Sequence, residues 1–144
     1  AFYFGGDLPV YSPSIIYEGT PAPSRDRDLN GVIFTDIPWV LGDDNELRTR
    51  ATENLSGTRG QPGRLFAMGA DAWHLSKRLP LLKQVESASI SGQTGVLTMT
   101  PEGSIHREQL WAQFRNGAPE LIPEPVTEEG EMEGAQEEAP PLSE

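Results

Sequence analysis

The order of elements in this sequence predicts an α/β fold that closes in a β-rich segment, on three observations. Two short apolar runs near the front, Leu8-Pro9-Val10-Tyr11 and Gly31-Val32-Ile33-Phe34-Thr35, have the character of buried strands. Between residues 43 and 79, apolar side chains recur at helical spacing. From Gly95 to Phe114 the pattern turns β-rich and is broken by Pro101-Glu102-Gly103. Strands, then helices, then strands again call for helix packed on sheet.

The first strand is stopped by Ser12-Pro13, and an irregular stretch with Gly19, Pro21 and Pro23 follows. The second is a continuous apolar run, as in a sheet covered on both faces, and Pro38 ends it. A helix is expected from Asp43 or Asp44, with Asp43 and Glu46 forming a capping box that satisfies unpaired backbone donors. Leu47, Ala51 and Leu55 would be its buried stripe, and Glu46 would pair with Arg50 on the wet face. After a Gly-rich connection over Ser56–Gly63, a second helix is expected from Arg64 to Leu79. It would bury Leu65, Met68, Gly69, Ala72, Leu75, Ser76 and Leu79, with Pro80 as its stop. Gly69 costs a helix up to ~1 kcal/mol relative to Ala, which predicts a close backbone neighbour there. Gly95–Thr100 and Ser104–Arg107 form a hairpin, and Leu110, Ala112 and Phe114 mark a last strand ended by Asn116-Gly117, with Trp111 on its otherwise polar side.

Charge divides the chain. Its net charge is -11, but nine of the 22 acids lie from Glu120 onward with no Lys or Arg among them, leaving 13 acids against 11 bases before that point. Such a tail, without aromatics and with Pro123, Pro125, Pro140 and Pro141, cannot bury enough surface to offset an ordering cost of roughly 1–2 kcal/mol per residue. We therefore expect a body over residues 1–119 and a disordered acidic tail over 120–144. The near-neutral body has no basic stripe for nucleic acid, and no apolar run approaches the ~20 residues needed to span a bilayer. The absence of Cys excludes disulfides and thiolate chemistry. The opening Ala1-Phe2-Tyr3-Phe4 lacks an initiator Met, as expected of a piece of a longer protein.

No motif asks for catalysis. His74 and His106 belong to no metal-ligand spacing, and no Ser sits on a nucleophile elbow. Asp71 reads as a surface partner of His74, and Asp43-Asp44 as caps. Arg25-Asp26-Arg27-Asp28 reads as a solvated loop that neutralises itself, and Gly57–Gly63 lacks the Lys-Ser/Thr ending of a phosphate loop. Asn54-Leu55-Ser56 matches a glycosylation acceptor in pattern alone. The expectation is a binding module with no cofactor and no metal, not an enzyme.

Leu65-Phe66-Ala67-Met68-Gly69-Ala70-Asp71-Ala72-Trp73-His74-Leu75, Gly92-Gln93-Thr94-Gly95-Val96-Leu97 and Gly103-Ser104-Ile105 together resemble the C-terminal part of type I periplasmic binding proteins. Within that group, the closer resemblance is to the LppC/LpoA family of outer-membrane lipoproteins. It is carried also by Leu8-Pro9-Val10-Tyr11-Ser12, by Gly31 through Asp36-Ile37-Pro38, and by the Arg107…Leu110-Trp111…Phe114-Arg115-Asn116-Gly117 spacing. It covers about residues 7–118 and nothing of the tail.

The resemblance implies the C-terminal portion of a two-lobed type I periplasmic-binding-protein-like domain. It also implies a non-catalytic regulator of peptidoglycan synthesis that binds and activates a bifunctional class A penicillin-binding protein. Its place would be the periplasmic face of the outer membrane of a Gram-negative bacterium, with a membrane attachment only through an N-terminal lipid anchor outside this chain. The alternative is a periplasmic solute-binding receptor for an amino acid or similar small ligand, since fold does not decide function. Candidate cleft or partner contacts are Ser12, Ser14 and Tyr17 after the first strand, and Asp36 and Trp39 after the second.

Overall fold

The computed structural model describes residues 8–125 apart from Asp44. In chain order its elements are β1 (Val10–Ser12), β2 (Val32–Asp36), α1 (Pro38–Leu41), α2 (Glu46–Asn54), α3 (Gly60–Gln84), β3 (Ile90–Ser91), β4 (Val96–Met99), β5 (Ile105–Glu108), β6 (Leu110–Arg115) and β7 (Ala118–Ile122). Short 3₁₀ turns occupy Ser14–Ile16 and Asp26–Leu29.

Two sheets form. In the larger, the order is β1-β2-β6-β7, with β1 and β2 parallel and the other two pairs antiparallel. Alternation along β2 and β6 puts Phe34, Ala112 and Phe114 on one face, where Tyr17 closes over them. Phe34 and Phe114 stack with centroids 5.0 Å apart. Trp111 meets Tyr11 edge-on at 6.2 Å, which explains an aromatic on the polar side of its strand. The smaller sheet is the antiparallel set β3-β4-β5, the hairpin expected from the turn residues preceded by a short strand. The chain returns from the smaller to the larger sheet through a single residue, Gln109.

The 25-residue α3, roughly 37 Å long at 1.5 Å per residue, spans both units. Its N-terminal half packs Phe66 and Ala67 against Ile37, Trp39 and Ala51. Its C-terminal half packs Leu75 and Leu82 against Ile90, Leu97 and Ile105.

Several expectations give way. The capping box on Asp43 and Glu46 is not formed: Asn45 holds the N-cap, its side chain accepting from Arg48 N at 2.9 Å, and Glu46 is the first helical residue. A cap at Asp44 falls outside the described residues. Glu46 does pair with Arg50, at 3.7 Å. Of the expected α2 stripe only Ala51 is buried, with Leu55 51% exposed. Pro80 does not stop α3, which starts at Gly60 and runs on to Gln84. A Pro in a helix interior costs ~3 kcal/mol, and Leu82, two residues beyond, is buried with Ile90 and Leu97.

The largest difference is the buried face of α3. Gly63, Ala67, Asp71 and Leu82 point inward, whereas Leu65, Met68, Gly69, Ala72 and Ser76 face outward. Gly69 has nothing within 4 Å of the position its Cβ would take.

Finally, Asn116-Gly117 does not close the last strand but turns it. Both residues have positive φ, 50° and 75°, and the chain returns as β7 with Arg115 opposite Ala118. β7 therefore runs across the expected boundary between residues 119 and 120. Residues 126–144 of the expected disordered tail lie outside the described residues, as does the opening Ala1–Phe4.

Candidate interaction site

The carboxyl end of β2 is the point where three segments meet. Asp36, fully buried, accepts from Ile37 N at 2.8 Å and from Arg64 Nε at 3.1 Å, and its second oxygen takes Arg64 Nη2. The same Nη2 donates to Tyr17 O at 2.9 Å. Arg64 reaches this point because α3 begins at Gly60, which sets its side chain one turn into the helix and inward. Among the described residues its Nη1 is the buried side-chain polar atom without a hydrogen-bond partner. A buried ion pair of this kind adds little over an apolar isostere, but removing one member costs ~3–5 kcal/mol because the other stays buried and charged. It acts as a clamp that fixes the segment after β1, the end of β2 and the start of α3.

Tyr17 and Trp39 are buried beside this clamp. The Tyr17 ring lies 6.0 Å from Phe34 and 5.9 Å from Phe114. Burial foremost, then the negative charges of Asp26 and Asp36, push its hydroxyl pKa above the ordinary value. Trp39 donates from Nε1 to Thr58 O at 2.9 Å and from its backbone N to Gln93 O at 2.9 Å. Gly63 permits this approach, since a Cβ there would sit 2.3 Å from Thr58 O. Trp39 also walls an open pocket of about 410 Å³ with Thr20, Arg48, Thr49, Thr58 and Arg59.

The five candidate residues thus separate. Arg64 joins Tyr17 to Asp36, Trp39 stands nearby at the pocket, and Ser12 and Ser14 remain half-buried on either side of Pro13. Ser12 Oγ makes only a long 3.4 Å bond to Pro13 O.

A second polar latch was misread from the sequence. Asp71 is not a surface partner of His74: it is 3% exposed and accepts from Gln93 N at 2.7 Å, Thr94 N at 2.7 Å and Thr94 Oγ1 at 2.6 Å. This explains the Gly92-Gln93-Thr94-Gly95 turn. A Cβ on Gly92 would lie 2.5 Å from Asp71 Oδ2, so only glycine leaves room for the carboxylate. The available signal was position, because Asp71 shares one helix face with Ala67 and Leu75 at i±4. Arg64 carried no comparable signal.

Among the described residues three carboxylates are buried: Asp36 and Asp71 hold segments together, and Asp26, expected in a solvated loop, is instead 4% exposed and paired with Arg25, while both His74 and His106 are exposed. The arrangement presents a braced surface and a polar pocket.

A parallel β1–β2 pair extended by antiparallel strands, with helices bridging to a second small sheet, is the C-terminal part of a periplasmic-binding-protein-like α/β domain. A solved structure described as a putative branched-chain amino acid ABC transporter from Chromobacterium violaceum superposes with a TM-score of 0.56 at 28% identity, covering 75% of this chain and 35% of that one. The chain belongs to the LppC family, described as "LppC putative lipoprotein", which matches residues 1–117. It is 34% identical over 108 residues to the penicillin-binding protein activator LpoA of Serratia proteamaculans, covering 75% of this chain and 16% of that protein. It also superposes on the LpoA (YraM) C-domain of Haemophilus influenzae, a regulator of PBP1A, with a TM-score of 0.68 at 30% identity, covering 83% of this chain and 38% of that one. The chain thus spans about 16% of the length of the curated relative it matches.

Proposed function

We propose that this chain is part of a non-catalytic regulator that contacts and activates a bifunctional class A penicillin-binding protein. The site of action would be the periplasmic face of the outer membrane, with lipid anchoring supplied outside residues 1–144. The carrying observation is the likeness to the Haemophilus influenzae C-domain, which is described as a regulator of PBP1A. The commitment of Asp36 and Asp71 to structural bonds supports the non-catalytic part. Activation would be allosteric: a docked regulator shifts the synthase toward the conformation that it binds better. In this reading Ser12 and Ser14 remain candidate contacts, while Tyr17, Asp36 and Trp39 hold the contact loops in shape. The contact body would run to the end of β7 at Ile122, with the acidic stretch beyond it as an extension.

The test is to add the purified chain to a class A penicillin-binding protein and measure binding together with transpeptidation and glycan polymerisation. Saturable binding with a raised rate is the expected result, and neither binding nor stimulation would overturn it. The pocket beside Trp39 favours a second reading, a receptor for an amino acid or similar solute. Calorimetry with amino acids and muropeptides separates the two, because tight saturable uptake would favour the receptor.

A further inference from the structure

Asn followed by Gly is the dipeptide at which a peptide nitrogen most readily attacks the side chain before it, because glycine offers no Cβ to hinder the approach. The sequence holds two such pairs, Asn30-Gly31 and Asn116-Gly117. The fold sets them side by side. Gly117 N donates to Asn30 Oδ1 at 2.8 Å, and Gly31 N donates to Phe114 O at 2.9 Å. Gln113 Nε2 donates to Gly31 O at 3.2 Å. The segment ahead of β2 is thereby strapped along the end of the β6–β7 hairpin, and both glycine nitrogens have their hydrogens committed.

The two asparagines are placed differently. Asn30 is half-buried, with its side-chain oxygen engaged by Gly117. Asn116 is exposed at the turn with a φ of 50°. Gly117 beside it is buried, and a Cβ there would collide with Pro23 O. An exposed amide therefore stands next to a nitrogen that Asn30 and Pro23 hold still.

We propose that Asn116 is a site of spontaneous deamidation and that Asn30 sets its rate by holding the Gly117 N–H. In the reaction Gly117 N gives up its proton to solvent and attacks Asn116 Cγ. The new N–Cγ bond closes a succinimide ring while the Cγ–Nδ2 bond breaks, and the nitrogen takes a proton from water and leaves as ammonia. Water then opens the ring at either carbonyl, giving aspartate or an isoaspartate whose main chain runs through the former side chain. A nitrogen whose hydrogen is held by Asn30 Oδ1 loses it less readily, and the same bond fixes the peptide plane that must turn toward Cγ. Isoaspartate adds a methylene to the main chain inside a two-residue turn. That breaks the pairing of Arg115 with Ala118 and so loosens β7. Asn30-Gly31 is the slower site, because the strap holds both its side-chain oxygen and its glycine nitrogen. None of this rests on the activator reading.

The experiment ages the folded chain in mildly alkaline buffer. Cleavage after Glu108 and Glu120 then releases the peptide 109–120, in which mass spectrometry reads the change of Asn116 from amide to acid and its isoaspartate content. Conversion should be slow in the folded chain and fast in the chain unfolded in urea. Asn30→Ala removes the acceptor and should speed it by about tenfold or more, the scale of one hydrogen bond to a buried donor. Asn30→Asp keeps an acceptor and should stay slow. Asn45→Ala removes the α2 cap and weakens the fold at a distance, so it separates local release from general loosening and should leave the rate unchanged. The proposal is overturned if Asn116 converts as fast in the folded chain as in urea, or if Asn30→Ala gains nothing. Loss of protection in Asn30→Asp, or equal acceleration by Asn45→Ala, overturns it as well.

Discussion

Asp71 is the residue whose removal should cost the most for the fewest atoms changed. It receives two backbone N–H groups and one hydroxyl, all at 2.6–2.7 Å, in a buried position that ties the middle of α3 to the β3–β4 turn. In Asp71→Ala, Thr94 Oγ1 can rotate to another acceptor, but Gln93 N and Thr94 N cannot. Each stranded buried donor costs ~1–3 kcal/mol, so the loss is about 2–6 kcal/mol, set by how well water enters the space left. A domain of this size holds only ~5–15 kcal/mol in total, so the loss runs from about an eighth of its stability to all of it. Asp71→Asn should recover little, because its amide presents a donor to one of the two N–H groups.

The measurement is urea unfolding followed by circular dichroism, with Gly92→Ala and the double variant completing a cycle. A Cβ at Gly92 collides with the Asp71 carboxylate, 2.5 Å away, so Gly92→Ala should be strongly destabilising alone and much less so beside Asp71→Ala. A loss below ~1 kcal/mol for Asp71→Ala with an unchanged denaturant slope, or an additive cycle, would refute the latch.

Arg64→Met should destabilise by ~3–5 kcal/mol through the stranded Asp36 charge, and adding Asp36→Leu should restore much of it, both read from urea midpoints. The pair Arg25–Asp26 sets a pH dependence. The Arg25 guanidinium, 2.7 Å from Asp26 Oδ1, holds that carboxyl below its ordinary value, so the unfolded chain binds the proton more readily. The contribution of Asp26 is present above the ordinary carboxylate range and fades as pH falls through its lowered value; Arg25→Gln should flatten this part of an acid titration of stability. Asn116→Ala should cost ~1 kcal/mol in thermal or urea unfolding, since Asn tolerates the φ of 50° that the β6–β7 turn needs and Ala does not.

Local chemistry accounts for most of what was legible. The runs at β1 and β2, the hairpin around Pro101-Glu102-Gly103, the alternation of Ala112 with Phe114 and the pairing of Glu46 with Arg50 each depend on residues a few positions apart. A residue a few positions away is a neighbour in any fold, so sequence spacing suffices. β7 was within reach as well: Asn-Gly between strand-like runs is a strong hairpin signal, and the acidic character beginning at Glu120 obscured it.

What only the tertiary structure decided involves residues far apart in the chain. Arg64 meets Asp36 across 28 positions and Asp71 meets Thr94 across 23, and no local pattern ranks those partners above others. Likewise, periodicity shows that α3 has an apolar stripe but not which neighbour arrives to cover which side. Here the side that packs on this chain carries Ala67, Asp71 and Leu82, while the stronger stripe through Leu65 and Met68 is left outward. The sequence by itself determined that α3 is a helix with apolar surface to bury; the position of the two sheets determined which half of that surface this chain could cover, because burial is a property of what lies opposite a side chain.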